Sequence, residues 1–252
     1  MSQYSAAYIF FVLPHGLLAM SIVTTFTPEL ARSVKQRDKA AFIDRTSLGV
    51  RLITLLSIPA AFAMFILRRP LIGLALQHGQ FDAAAALSTS RALAGFSLGL
   101  AGFSVYLFVL RGFYAHGDAR TPFTINLFEN AINIGLAVVL VDRYGVLGLA
   151  ASFAIAYWVS ALIALQVLSF KVPGFPVRDT LASMVRMLLA GVVMAEAMWL
   201  VARRMGGNTG VDAAIRVSAA GLVGLLVYTG ACAVMRVREL EQLRSRVRTR
   251  FA

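Results

Sequence analysis

Phe123–Val141, FTINLFENAINIGLAVVLV, and Val146–Ser169, VLGLAASFAIAYWVSALIALQVLS, are separated by only four residues. A helix needs about 20 mainly apolar residues to cross the ~30 Å hydrocarbon core of a bilayer, and both stretches come close to that length or exceed it. Leu181–Ala202 and Val217–Met235 read the same way. Three less uniform segments, Tyr4–Phe26, Leu48–Leu67 and Leu93–Leu110, bring the expected spans to seven. A mean hydropathy of +0.75 with 14% charged residues agrees in bulk. The fold class is therefore all-α, a multi-pass transmembrane helical bundle.

The breaks inside the less uniform spans are compatible with helices. Pro14-His15-Gly16 interrupts the first, Pro59 stands midway in the second, and Gly95, Gly99, Gly102 and Gly112 mark the third. Proline and glycine are tolerated in spanning helices because neighbours re-satisfy the freed backbone groups. A packing kink is the expected result at Pro14-His15-Gly16, with a functional hinge as the alternative. Met1 leads almost directly into the first span with no basic region before it, so that segment reads as a span rather than a signal peptide.

Basic residues orient the bundle. With seven spans, alternate loops hold 17 basic residues on one side (among them Arg32, Lys35, Arg37, Lys39, Arg111, Arg120, Lys171 and the tail) and 7 on the other, including Arg68, Arg69, Arg203 and Arg204. The positive-inside rule puts the richer side in the cytoplasm, so the N-terminus is expected outside and the C-terminus inside. The net charge of +12 is spread over both membrane faces, which argues against a nucleic-acid surface. The tail from Arg236 to Arg250 is expected to lie against anionic headgroups. The polar segment 29–45 is expected to be a short helix along the cytoplasmic surface.

Chemistry-bearing motifs are scarce. Cys232 is the single cysteine, the three histidines are scattered, and no phosphate loop, nucleophile elbow or paired carboxylates occur. Neither an enzyme nor a metal site is expected. The informative polar residues lie inside spans, where charge is costly and normally faces a bundle interior or water. Asn126, Glu129, Asn130 and Asn133 form a stripe roughly 100° wide on a helical wheel, in the cytoplasmic half of their span. A water-filled cavity open to the cytoplasm and an interhelical hydrogen-bond cluster with Glu129 paired or protonated both fit. His15, Ser21, Thr24 and Thr25 could line a pore, although Ser and Thr in such helices more often bond their own backbone.

Two loop stretches, Leu76–Asp82 (LQHGQFD) before Ser97–Leu100 (SLGL), and Arg111–Pro122 (RGFYAHGDARTP), occur with Leu13–Gly16 (LPHG) and Pro28–Leu30 (PEL). In combination they resemble the MurJ (MviN) family of lipid II flippases, within the multidrug and oligosaccharidyl-lipid exporter superfamily, over about residues 6 to 240. The resemblance implies the following. Family members have fourteen spans in two six-helix lobes plus two further helices, and this chain matches helices 8 to 14. Residues 1–170 would be second-lobe helices, 171–236 the two additional helices, and 237–252 a basic cytoplasmic tail. The first lobe and helix 7 would be supplied elsewhere in a longer protein or by a partner half. The family's helix 8 begins outside the cell, in agreement with the orientation that charge gives here.

The implied activity is transport: flipping of undecaprenyl-pyrophosphate-linked disaccharide-pentapeptide to the outer leaflet of the bacterial cytoplasmic membrane by alternating access. The headgroup would pass a central cavity for which His15, Ser21, Thr24, Asn126, Glu129, Asn130 and Asn133 are the candidates. No cofactor is implied, and transport would be coupled to membrane potential or a cation gradient. Membrane lipids and cell-wall synthesis proteins are the other implied partners. Arg111, Asp118, Arg120, Thr121 and Pro122 would form a cytoplasmic gate, with Asp118 and Arg120 as an ion pair or as helix caps; a simple turn that starts a helix at Thr121-Pro122 fits equally. Tyr8 to Val12 depart from the family in carrying no charge. A sister exporter of polysaccharide lipids or drugs, and a non-transporting subunit of the cell-wall machinery, are the alternative functions. A retinal protein would need a lysine in the last span, which has none.

Overall fold

A computed structural model describes residues 3–77 and 82–237. Among them are seven helical rods long and apolar enough to cross a membrane. The first is composite: α1 (Gln3–Pro14), a π turn (His15–Ala19) and α2 (Met20–Lys35). The others are α3 (Lys39–Leu76), α4 (Ala83–Ala115), α5 (Arg120–Tyr144), α6 (Val146–Lys171), α7 (Val177–Ala202) and α8 (Gly210–Val234). The basic tail beyond Val237 and the His78–Phe81 part of the first loop motif lie outside the described residues.

The segment 29–45 is not a surface helix. Glu29–Lys35 are the last turns of α2, and Lys39–Arg45 are the first turns of α3. Arg37, at φ 58°, reverses the chain between them, and the Asp38 carboxylate caps α3 by accepting from the Ala41 N–H at 2.9 Å. Glu29 then pairs with Arg45 at 3.4 Å across the hairpin, while the same guanidinium donates to the Ser33 hydroxyl. Polar residues spaced for a surface helix instead join two antiparallel ends. As a result α3 has 38 residues, ~57 Å at 1.5 Å per residue, well beyond the hydrocarbon thickness.

At the centre, α4 is buried over nearly all of its apolar length and packs on α3, α6 and α1. Its glycines explain the closeness of α6. A Cβ on Gly99 would stand 2.8 Å from the Ala154 Cα, and one on Gly95 would stand 2.6 Å from the Ala150 Cβ. Small residues one turn apart on both helices let the backbones approach, the usual source of helix association in lipid. Gly145, at φ 56°, turns α5 directly into α6. On the far side α7 and α8 pair and lie on α3, where the Tyr228 hydroxyl donates to the Leu55 carbonyl at 3.0 Å. The least covered rod is α5, which packs chiefly on α6 and buries 11% of its apolar window.

Candidate functional site

Pro14 has no N–H, so a helical hydrogen bond is lost there, and the π turn follows at once. Single π turns are rare and recur at functional sites. This one places His15 inward, 6% exposed, with Nδ1 at 2.9 Å from the Ser104 hydroxyl of α4. The imidazole lies edge-on to Phe103, centroids 4.7 Å apart. From Phe103 a chain of rings continues through Tyr157 (4.9 Å), which also meets Phe153 (4.5 Å) and Tyr106 (5.5 Å). On α1, Tyr8 reaches Phe153 at 6.4 Å. Phe103, Phe153 and Tyr157 are only half-buried. They form an aromatic wall on α4 and α6, with the first rod along one side and α5 along the other.

The α5 stripe divides at that wall. Glu129 faces inward and is 2% exposed; Ile125, one turn earlier, packs in the cluster of Tyr106 and Phe108. Asn133 also faces inward, accepting from the Ser152 hydroxyl of α6 at 3.0 Å. Asn126 and Asn130 are exposed, and the Asn130 amide donates to both the side-chain and backbone oxygens of Asn126 at 2.9 Å. One buried oxygen at the wall, Glu129 Oε1, has no hydrogen-bond partner among the described residues, whereas the Tyr106 hydroxyl is met by the Asn126 side chain. A carboxylate within a span is a functional candidate by default, because isolation in hydrocarbon is unfavourable. No group of three or more His, Cys, Asp or Glu side chains converges among the described residues.

Ser21, Thr24 and Thr25 are exposed on α2 and spend their hydroxyls on carbonyls of the same rod, Leu17 in the π turn for Ser21 and Ser21 for both threonines. The structure thus brings His15 to the wall together with Glu129 and Asn133, and leaves the α2 hydroxyls turned back on their helix.

The 111–122 motif forms the α4–α5 loop. Asp118 acts as a helix cap, accepting from the Thr121 N–H at 3.0 Å. Its ion-pair partner is Lys171 at the end of α6, not Arg120. Lys171 reaches it because the Thr121 hydroxyl accepts a second bond from the same ammonium at 2.6 Å, whereas Arg120 opens α5 and points to solvent. The Lys171 hydrogen bond, with that of the Thr121 N–H, holds the Asp118 carboxyl well below the usual carboxylate range. Pro122 is buried and Arg111 is exposed. Ser104, Tyr106, Ser152, Tyr157 and Lys171 carry this geometry without any periodic signal in the sequence; each is paired across rods.

The family model for the lipid II flippase MurJ matches residues 1–219. A probable lipid II flippase MurJ of Rhizobium meliloti is 29% identical over 190 residues, which is 75% of this chain and 35% of that protein. One of Rickettsia prowazekii is 31% identical over 145 residues, 58% of this chain and 29% of the relative. The solved lipid II flippase MurJ in an inward closed conformation is alike in fold, with a TM-score of 0.75 at 24% identity, covering 92% of this chain and 46% of that one. The chain therefore spans about a third of these relatives' length and just under half of the solved flippase.

Proposed function

This chain belongs to the lipid II flippase MurJ family, and we propose that it supplies the second lobe and the two C-terminal helices of a transporter that flips lipid-linked peptidoglycan precursor. A pyrophosphate bearing sugars and a peptide cannot cross hydrocarbon unaided, so the work is to offer it a polar path. The observation that carries the reading is the open aromatic wall with Glu129 beside it. It is a surface at membrane depth with half-buried rings, exposed amides at Asn126 and Asn130, and a buried carboxylate oxygen without a hydrogen-bond partner among the described residues. Such a surface is one side of a cavity whose other side is a further lobe, in the same polypeptide or a partner.

Tyr8 to Val12 present no cation to the substrate, so the arginines that would grip a pyrophosphate bidentately belong to that other lobe. In this reading the Asp118 end faces the cytoplasm and the N-terminal end of the chain faces outward. Transport answers to membrane potential or a cation gradient rather than to a cofactor, and Glu129 is the acidic group placed to respond.

The test is complementation in cells depleted of their own flippase, with outer-leaflet precursor measured chemically. The chain is expressed alone and together with a first lobe from a family member. Rescue with the first lobe, lost in Glu129→Ala at equal membrane abundance, is the expected result. No rescue in either setting by inserted protein would overturn the reading and favour a non-transporting subunit.

A further inference from the structure

Two adjoining cavities of about 330 and 440 Å³ open at the Asp118 end of the bundle, where the α2–α3 turn, the α4–α5 loop and the end of α6 meet. They share His116, Lys171 and Val172. The inner one is floored by Phe113, Leu168 and Val172, all buried. The outer one is rimmed by Arg37, Lys39 and His116. The two acids nearby are both engaged: Asp118 with Lys171 and the Thr121 N–H, Asp38 with the Ala41 N–H. Neither Arg37 nor Lys39 forms an ion pair among the described residues, and with Lys171 they outnumber Asp38 in the outer lining, so the rim is net positive. His116 bonds the Gly112 carbonyl through Nδ1 at 2.9 Å and stands edge-on to Phe42, centroids 4.6 Å apart. That arrangement leaves Nε2 as its uncommitted nitrogen.

The position matters as much as the charge. The apolar run of α6 ends at Ser169 and that of α5 begins at Phe123, so the inner cavity, at Leu168, Lys171 and Val172, lies within about a turn of the hydrocarbon, and the outer one extends from it into the headgroup layer along the α2–α3 turn. A soluble anion would use the rim and leave the apolar floor empty. An amphiphile fills both, and basic pockets between membrane helices suit anionic headgroups.

We propose that these cavities bind an anionic membrane phospholipid, its phosphate at Arg37 and Lys39 and its first methylenes over Phe113, Leu168 and Val172. The lipid bridges the α2–α3 turn to the α4–α5 loop. The site is separate from the aromatic wall and does not depend on the transport reading.

Native mass spectrometry of the full chain in detergent tests this, with phosphatidylglycerol and phosphatidylcholine of identical acyl chains as probes and inorganic phosphate as competitor. Phosphatidylglycerol should be retained in preference. The double variant Arg37→Asn with Lys39→Gln should weaken it roughly thirtyfold, two charges at the increment basic residues contribute beside anionic lipid, without changing phosphatidylcholine binding. Asn is chosen because it tolerates the positive φ at position 37. A control pair at the opposite end, Arg203→Gln with Arg204→Gln, should keep the preference. Equal binding of the two lipids, an unaffected double variant, or an equal loss in the control pair would each overturn the proposal. Displacement of the lipid by saturating inorganic phosphate would do the same, by assigning the rim to a soluble anion.

Discussion

Asp118 shows what a single residue adds in this chain. Its carboxylate stops α5 from fraying and ties it to α6 through Lys171. Because its folded-state acidity is strengthened by that hydrogen bonding, its contribution is complete above the ordinary aspartate value, ~3.9, and is lost as pH falls through and below it. The thermal stability of the chain in detergent should therefore exceed that of Asp118→Asn by a constant margin from neutral pH to mildly acidic pH, and the margin should shrink below about pH 4. A margin that grows on acidification would refute the assignment. Asp118 was legible in the sequence as a loop acid before a Thr-Pro helix start, but its partner was not, since Lys171 is 53 residues away. The same holds for His15 and Ser104, 89 residues apart. A double-mutant cycle of His15→Ala and Ser104→Ala should give a coupling of about 0.5–1.5 kcal/mol, the range for hydrogen bonds between membrane helices; a coupling of zero would mean that the imidazole is held by Phe103 alone.

Whole elements were legible wherever apolar length decides the outcome, because a bilayer admits little besides helices long enough to cross it. All seven spans follow from that condition. What failed was the reading of 29–45, where polar spacing fits a surface helix and an antiparallel hairpin equally well; Arg37's positive φ and the Glu29–Arg45 pair decide it, and neither leaves a periodic trace. The glycines of α4 show the converse, since their spacing is visible but which neighbour they admit is not. Gly99 meets the α6 backbone, whereas on α5 a Cβ at Gly135 would meet nothing within 4 Å. Gly99→Ala should then cost about 1–3 kcal/mol through overpacking, while Gly135→Ala should be neutral or gain up to ~1 kcal/mol from helix propensity. Thermal unfolding of the two variants side by side decides the matter, and equal effects would show that α4 and α6 are not in backbone contact.

For the molecule as a whole the unbalanced rod is α5, covered by α6 on one side and bare on the other. Phe123, Leu127, Ile134 and Val138 on its bare side suit lipid, but Asn126 and Asn130 do not. Their mutual hydrogen bond and the contact of Asn126 with the Tyr106 hydroxyl satisfy part of their capacity, and the remainder faces outward. In hydrocarbon that is unfavourable, so the stability of these residues depends on what lies opposite them. The double variant Asn126→Leu with Asn130→Leu should therefore change sign with context. In this chain alone it should stabilise by on the order of 1 kcal/mol, and in an assembly with a complementary lobe it should destabilise by a similar amount, as interhelical bonds are lost. Thermal unfolding of the purified chain and of the assembled protein, both in the same detergent, measures each arm. If the variant stabilises both, the amides face lipid and the cavity has no second wall at α5. If it destabilises the chain alone, the contacts the two asparagines make within it outweigh their exposure, and the missing side of the cavity must be sought along α1 and α2 instead.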